Sequence, residues 1–195
     1  MQKALFIVTI QAALLATSLW AAQSAEGNRK VLVKEIHFAG DLGLPLTELR
    51  EYTEYLIGHR IERAKILEEA PSAVGHGLRH RGYLKAQVTP QIHSLKPSVN
   101  SKDHEVALEL VIKAGKQYRV KNMIFVGLST ELPQADLRQA FKIQLGDIAD
   151  AEKIGVGIRN LETLFHRKGK DVTVVPDMTF DDAASTVSFQ FDIEK

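Results

Sequence analysis

The chain has 195 residues, 45% of them hydrophobic and 25% charged, with 25 Lys plus Arg against 24 Asp plus Glu and a formal net charge of +1. This is the composition of a folded globular protein, outside the disordered and fibrous classes, and so even a charge balance leaves no basic field to draw in nucleic acid or anionic lipid. Cysteine is absent from the sequence, which removes disulfides, Cys-ligated zinc and thiol nucleophiles.

The first 25 residues differ from the rest. Lys3 supplies one positive charge, Ala4 to Trp20 is apolar apart from Thr9, Gln11, Thr17 and Ser18, and small residues follow in Ala21, Ala22, Ser24 and Ala25. That order predicts a signal peptide over residues 1–25, cleaved after Ser24 or Ala25, and hence an exported protein. The alternative is an uncleaved membrane anchor, because about 17 apolar residues is the lower limit for a span. The weak positive flank, Gln11 and the small-residue run favour cleavage.

Beyond that segment the chain is one unit written twice. Val33-Lys34-Glu35-Ile36-His37-Phe38-Ala39-Gly40 returns 87 residues later as Val120-Lys121-Asn122-Met123-Ile124-Phe125-Val126-Gly127. The same offset maps Leu67 to Ile154, Val74 to Leu161, Leu78 to Phe165 and Gly82 to Gly169, and one residue of slippage aligns Val88-Thr89-Pro90 with Val174-Val175-Pro176. A fixed offset across strand, helix and turn positions marks an internal repeat. Two domains are expected, residues 30–114 and 115–195, joined near Ala114-Gly115-Lys116 with few contacts between them.

Each unit opens with a strand closed by glycine, Gly40 or Gly127. A short helix follows, capped by Thr47 over Glu48 to Leu56 in the first unit and started by Pro133 over Gln134 to Phe141 in the second. A longer helix comes next, with Ile154, Ile158, Leu161 and Phe165 at helical spacing behind an N-cap at Asp150. Its counterpart carries Ile66, Ala73, Val74 and Leu78, and Pro71 is expected to kink or restart it. Gly82 and Gly169 end these helices.

Two strands of alternating pattern close each unit. Ala86, Val88, Pro90 and Ile92 form one apolar row, and Val106, Leu108, Leu110 and Ile112 the next. Val172, Val174, Pro176 and Met178, then Val187, Phe189, Phe191 and Ile193, repeat the arrangement. Alternation means one buried and one wet face. The expected fold class is therefore α+β, two tandem β-α-α-β-β domains, each a three-stranded sheet with two helices on one face. Proline cannot donate to a ladder, so Pro90 and Pro176 place the second strand of each unit at an edge and the third in the middle. An edge strand is a template for another strand. The candidate partner-binding residues are Lys85, Ala86, Gln87, Val88 and Thr89, a stretch that carries one charge and no proline.

Three stretches now resemble the POTRA domains of BamA- and TamA-like outer-membrane assembly proteins. Val106 to Leu128 is similar to a junction between two such domains, Gly146 to Gly169 to their second-helix segment, and His80 to Val88 to the turn into their second strand. One departure is Lys170, which stands where the aromatic after the turn glycine is present in the first unit as Tyr83. A second is that the chain stops at Lys195, with no room for a membrane β-barrel of the kind that follows in the barrel-bearing members. The resemblance implies a periplasmic, non-enzymatic scaffold that binds proteins by strand addition and is linked to outer-membrane assembly or secretion. Its implied partners are unfolded outer-membrane precursors or subunits of an assembly machine, with membrane contact only through an outer-membrane partner or an uncleaved N-terminus. The alternatives are an inner-membrane-anchored envelope protein that recruits division or secretion machinery, and the remnant of a truncated barrel protein.

The sequence offers little chemistry beside this. His76 and His80 share a helix face at the spacing of a zinc pair, but Gly77 stands where a metalloprotease motif needs glutamate, and Gly75 and Gly77 make a poor frame for ligands. Gly155 and Gly157 lack the third glycine of a dinucleotide fingerprint, since position 160 is Asn160, and they fall inside a helix. No enzyme activity, metal or cofactor is expected.

Overall fold

A computed structural model describes residues 29–96, 104–128 and 132–195. The expected signal peptide lies outside the described residues. The first unit runs β1 (Lys30–Asp41), α1 (Leu46–Glu51), a 3-10 turn (Glu54–Leu56), β2 (Arg60–Glu62), α2 (Arg63–His80), β3 (Gln87–Ser94) and β4 (Glu105–Lys113). The second runs β5 (Arg119–Gly127), α3 (Gln134–Gln139), α4 (Ala151–His166), β6 (Thr173–Asp181) and β7 (Thr186–Glu194).

The sheets are ordered β2-β1-β4-β3 and β5-β7-β6. In each, the last strand is central, parallel to the first and antiparallel to the second. The prolines do mark the edges, since the strands that carry Pro90 and Pro176 lie outermost in their sheets. The first sheet has one strand more than the repeat predicts: Arg60–Glu62 pairs antiparallel with Lys30–Leu32. Three residues are too few to show an alternating pattern, so the sequence gives no sign of this strand.

The copies share details finer than element order. Pairing of β1 slips between Val33 and Glu35, and pairing of β5 slips between Val120 and Asn122, so Lys34 and Lys121 are equivalent bulge residues. Each reaches an acid, Lys34 to Glu105 at 3.6 Å and Lys121 to Asp181 at 3.3 Å. Gly40 and Gly127 hold φ of +90° and +70°, and a Cβ there would lie 2.3 and 2.4 Å from the Ile112 and Ile193 carbonyl oxygens. Only glycine fits both the conformation and the space.

The helices differ from expectation in two places. α1 starts at Leu46 behind Pro45 rather than at a Thr47 cap, and it stops at Glu51. Buried Thr53 turns its hydroxyl back onto the Arg50 carbonyl at 3.3 Å, and the chain tightens into the 3-10 turn. α2 runs through Pro71 as one helix. The carbonyl that loses its donor belongs to Leu67, a residue on an exposed side of the helix. Asp150 caps α4 as expected, accepting from the Glu152 and Lys153 amides at 2.9 and 3.2 Å.

Each unit has its own core. In the first, Leu108, Leu110 and Ile112 of β4 meet Ile66, Val74 and Leu78 of α2. In the second, Phe191 contacts Phe141 and Phe125 at ring separations of 4.6 and 5.4 Å. Gly157 lets α4 close on that cluster, since a Cβ there would sit 2.1 Å from the Phe141 ring.

The joint is tighter than the short linker suggests. Tyr118 is 2% exposed, its amide donates to the Gly82 carbonyl at 2.9 Å, and its carbonyl accepts from Ala149 at 2.9 Å. Leu84 of the first unit packs on the second unit's core. Lys85 and the Tyr118 hydroxyl both donate to Asp182, at 2.7 and 2.6 Å, and Lys116 donates to the Asp182 carbonyl. His80 and Glu152 approach to 3.6 Å across the same joint.

Candidate functional site

The direction of each peptide group in β3 follows from one bond. Leu95 donates to the Glu105 carbonyl at 2.9 Å, just beyond the last register pair, Ser94↔Val106. Antiparallel ladders alternate bonded and non-bonded pairs. Odd-numbered residues of β3 therefore bond β4, and Val88, Pro90, Ile92 and Ser94 turn their peptide groups to the open edge. Pro90 sits where its missing N–H costs the ladder nothing.

Of the five candidate residues, Gln87, Val88 and Thr89 lie in β3, while Lys85 and Ala86 fall in the turn before it. Lys85 is drawn to Asp182 and does not extend the edge. Gln87 and Thr89 face β4, so Val88 is the one candidate whose peptide groups point outward. Ile92 and Ser94, past the proline, share that direction and were missed because proline looked like the end of the usable strand.

The second unit has the same geometry with its donors covered. The Val174 amide is bonded by Glu162 Oε1 of α4 at 3.3 Å, and the Met178 amide by Asp177 Oδ1 at 2.9 Å. Pro176, between them, has no donor. Phe180 at the end of the edge packs on Tyr118 at 4.9 Å, inside the joint. In the first unit the position equivalent to Glu162 is Gly75, and the strand alignment puts Gln91 at the place of Asp177. Among the described residues, no side chain bonds the outward amides of Val88 or Ile92. One edge is capped and its twin is bare.

Charge at the site concentrates at the joint. The Asp182 carboxyl is held below its ordinary value, first by the Lys85 hydrogen bond and then by that of Tyr118. Burial, followed by the bond to Asp182, pushes the Tyr118 hydroxyl up. His76 and His80 stand edge to face at 6.4 Å. Among the described residues, no group of three or more His, Asp or Glu is placed to hold a metal ion, and no helix is long and apolar enough to cross a membrane.

Residues 118–195 match the family described as POTRA, surface antigen variable number repeat. The POTRA match spans the second unit. No curated protein matches the chain in sequence. Among solved structures, POTRA3-5 of Haemophilus influenzae BamA superposes with a TM-score of 0.65 at 22% identity, covering 85% of this chain and 61% of that one. BamA of Haemophilus ducreyi lacking POTRA domains 1–3 gives 0.65 at 20% identity over 86% of this chain and 29% of that one. POTRA1-2 of the periplasmic domain of Omp85 from Anabaena gives 0.51 at 18% identity over 85% and 96%. The two units together thus have the fold of tandem POTRA domains, and the chain spans less than two thirds of either BamA structure.

Proposed function

We propose that this POTRA pair is a non-catalytic protein-binding scaffold that captures extended segments of partner proteins along the edge of β3. The observation that carries the reading is the contrast between the bare Val88 and Ile92 amides and the capped Val174 and Met178 amides. Exposed sheet edges are templates that proteins normally blunt, and the second unit blunts its own with two carboxylates. A docked strand would pair with both peptide groups of Val88 and Ile92 and with the Pro90 carbonyl. Each such bond is worth about 0.5–1.5 kcal/mol net, so binding is modest and largely blind to sequence.

Support for the wider setting comes from the likeness in fold to POTRA1-2 of the periplasmic domain of Omp85 from Anabaena. The chain acts in this reading as an exported, periplasmic module that handles unfolded outer-membrane precursors or assembly-machine subunits, with residues 30–114 and 115–195 as its two domains. Installing the second unit's caps in the first tests it. Gly75→Glu together with Gln91→Asp, made in the full chain, should abolish protection of the Val88 and Ile92 amides by a capped hexapeptide of alternating valine and threonine. The three atoms nearest a Cβ at Gly75 all belong to the flexible tip of Arg79, the first at 3.2 Å, so the fold should tolerate it. Unchanged binding in that folded variant would overturn the reading.

A further inference from the structure

The opposite edge of the first sheet holds a second opening. β4 residues that do not bond β3 face β1, and Leu108 and Leu110 stand across from Ile36 and Phe38. In a parallel ladder the residue directly opposite turns its own peptide groups away. Ile36 and Phe38 therefore point outward, on the side of β1 that β2 occupies earlier along the strand.

That earlier stretch shows what the edge accepts. The chain's own β2 lies antiparallel there, and the Val33 carbonyl takes the Gly58 amide at 2.8 Å. Beyond the bulge at Lys34 the covering strand ends, and no described residue bonds the Ile36 or Phe38 amide. Beside them runs a groove of about 260 Å3 lined by Ile36, Thr47, Arg50, Glu51, Glu54 and Ile57. Ile57 is 45% exposed and neighbouring Leu46 46%. Glu51 and Glu54 outnumber Arg50 at the rim, and neither acid has an ion-pair partner among the described residues.

The second unit repeats the groove, at about 460 Å3, with Met123 in the place of Ile36. There the outward amide is closed, because Asn122 Oδ1 accepts from Met123 at 2.9 Å. The residue at the equivalent place in the first unit is Glu35, whose carboxylate turns instead to His37 at 3.0 Å.

We propose that the Ile36–Phe38 edge and its groove form a second docking site, for an extended partner segment that continues the antiparallel course of β2. The segment sets an aliphatic side chain against Ile36 and Ile57 and a basic residue two positions along, on the same face of the strand, against Glu51 and Glu54. This site does not depend on docking at β3. It is tested by amide hydrogen exchange on the full chain with a capped hexapeptide of sequence Thr-Val-Thr-Lys-Thr-Val, which sets valine and lysine on one face. Exchange at Ile36 and Phe38 should slow more than tenfold, with Met123 unchanged. Glu35→Asn, which installs the second unit's cap, should weaken binding about five- to tenfold, as loss of one backbone hydrogen bond does. Thr47→Trp, at an exposed position, should fill the groove and remove binding. Protection confined to Val88 and Ile92 would overturn the proposal, as would protection of Ile36 that rises with protein concentration in the absence of peptide, which would make a second copy the occupant. Full binding retained by both variants would overturn it as well.

Discussion

Lys85 and Asp182, 97 positions apart in sequence, meet at 2.7 Å across the joint. The ammonium also lies over the Phe180 ring at 4.4 Å and the Tyr118 ring at 5.5 Å. A single exposed pair of this kind adds little to stability, but here it closes a cluster that includes buried Tyr118. Its effect is on orientation. Asp182→Ala should leave the thermal midpoint nearly unchanged while broadening the distribution of inter-unit angles. Small-angle scattering of the full chain would read this as a larger radius of gyration, and an unaltered profile would count against the joint as the element that sets the angle.

The same joint predicts a pH window. A carboxyl with a lowered folded pKa contributes stability that is complete above its unfolded value, 3.8 for Asp182, and lost as pH falls through the lowered value. Tyr118 is raised above 10.0, so its contribution is complete below 10.0 and lost as pH climbs through the raised value. Inter-unit geometry should hold constant between these limits and loosen outside them. Carbon-13 titration of the Asp182 carboxyl should give a midpoint below 3.8.

Removing caps should open the second unit's edge. Glu162→Ala with Asp177→Ala frees the Val174 and Met178 amides while keeping good helix formers in α4. Their exchange should accelerate, and the valine–threonine hexapeptide should then protect them. Exchange that stays slow in the double variant would show the edge to be covered by something other than these carboxylates.

The cores should fail separately. Phe191→Ala removes a fully buried ring from the second unit, a change that costs about 3–5 kcal/mol. The expected result is a second unit that melts early, its amide resonances collapsing, while the β4 amides of the first unit stay dispersed. Simultaneous loss of both sets would mean the units fold as one.

The fold was legible because its signals are local and doubled. Asp150 announces α4 by its own chemistry, the two-residue alternation announces each sheet face, and Pro90 with Pro176 gives the strand order. β2 was hidden because three residues carry no period. The joint was hidden because Lys85, Tyr118 and Asp182 lie far apart in sequence and only folding brings them together. The site was half legible: proline shows which strand is at the edge, but only the Leu95 to Glu105 bond shows which residues face out. The decisive contrast, Gly75 against Glu162, is a missing side chain set against a present one. It acquires meaning only when Val174 is seen beside the helix.

The placement of β3 also has a mechanical side. Its ladder with β4 runs without a break from Gln87↔Lys113 to Ser94↔Val106. A load applied along a strand docked on β3 would shear every one of those bonds together rather than unzip them in turn, and shear is the direction in which such a ladder resists most. β4 leads directly through Ala114 to Tyr118, and β3 is anchored at its near end by Lys85. Tension on a captured segment therefore passes to the second unit along two parallel routes, one through the chain and one through Asp182.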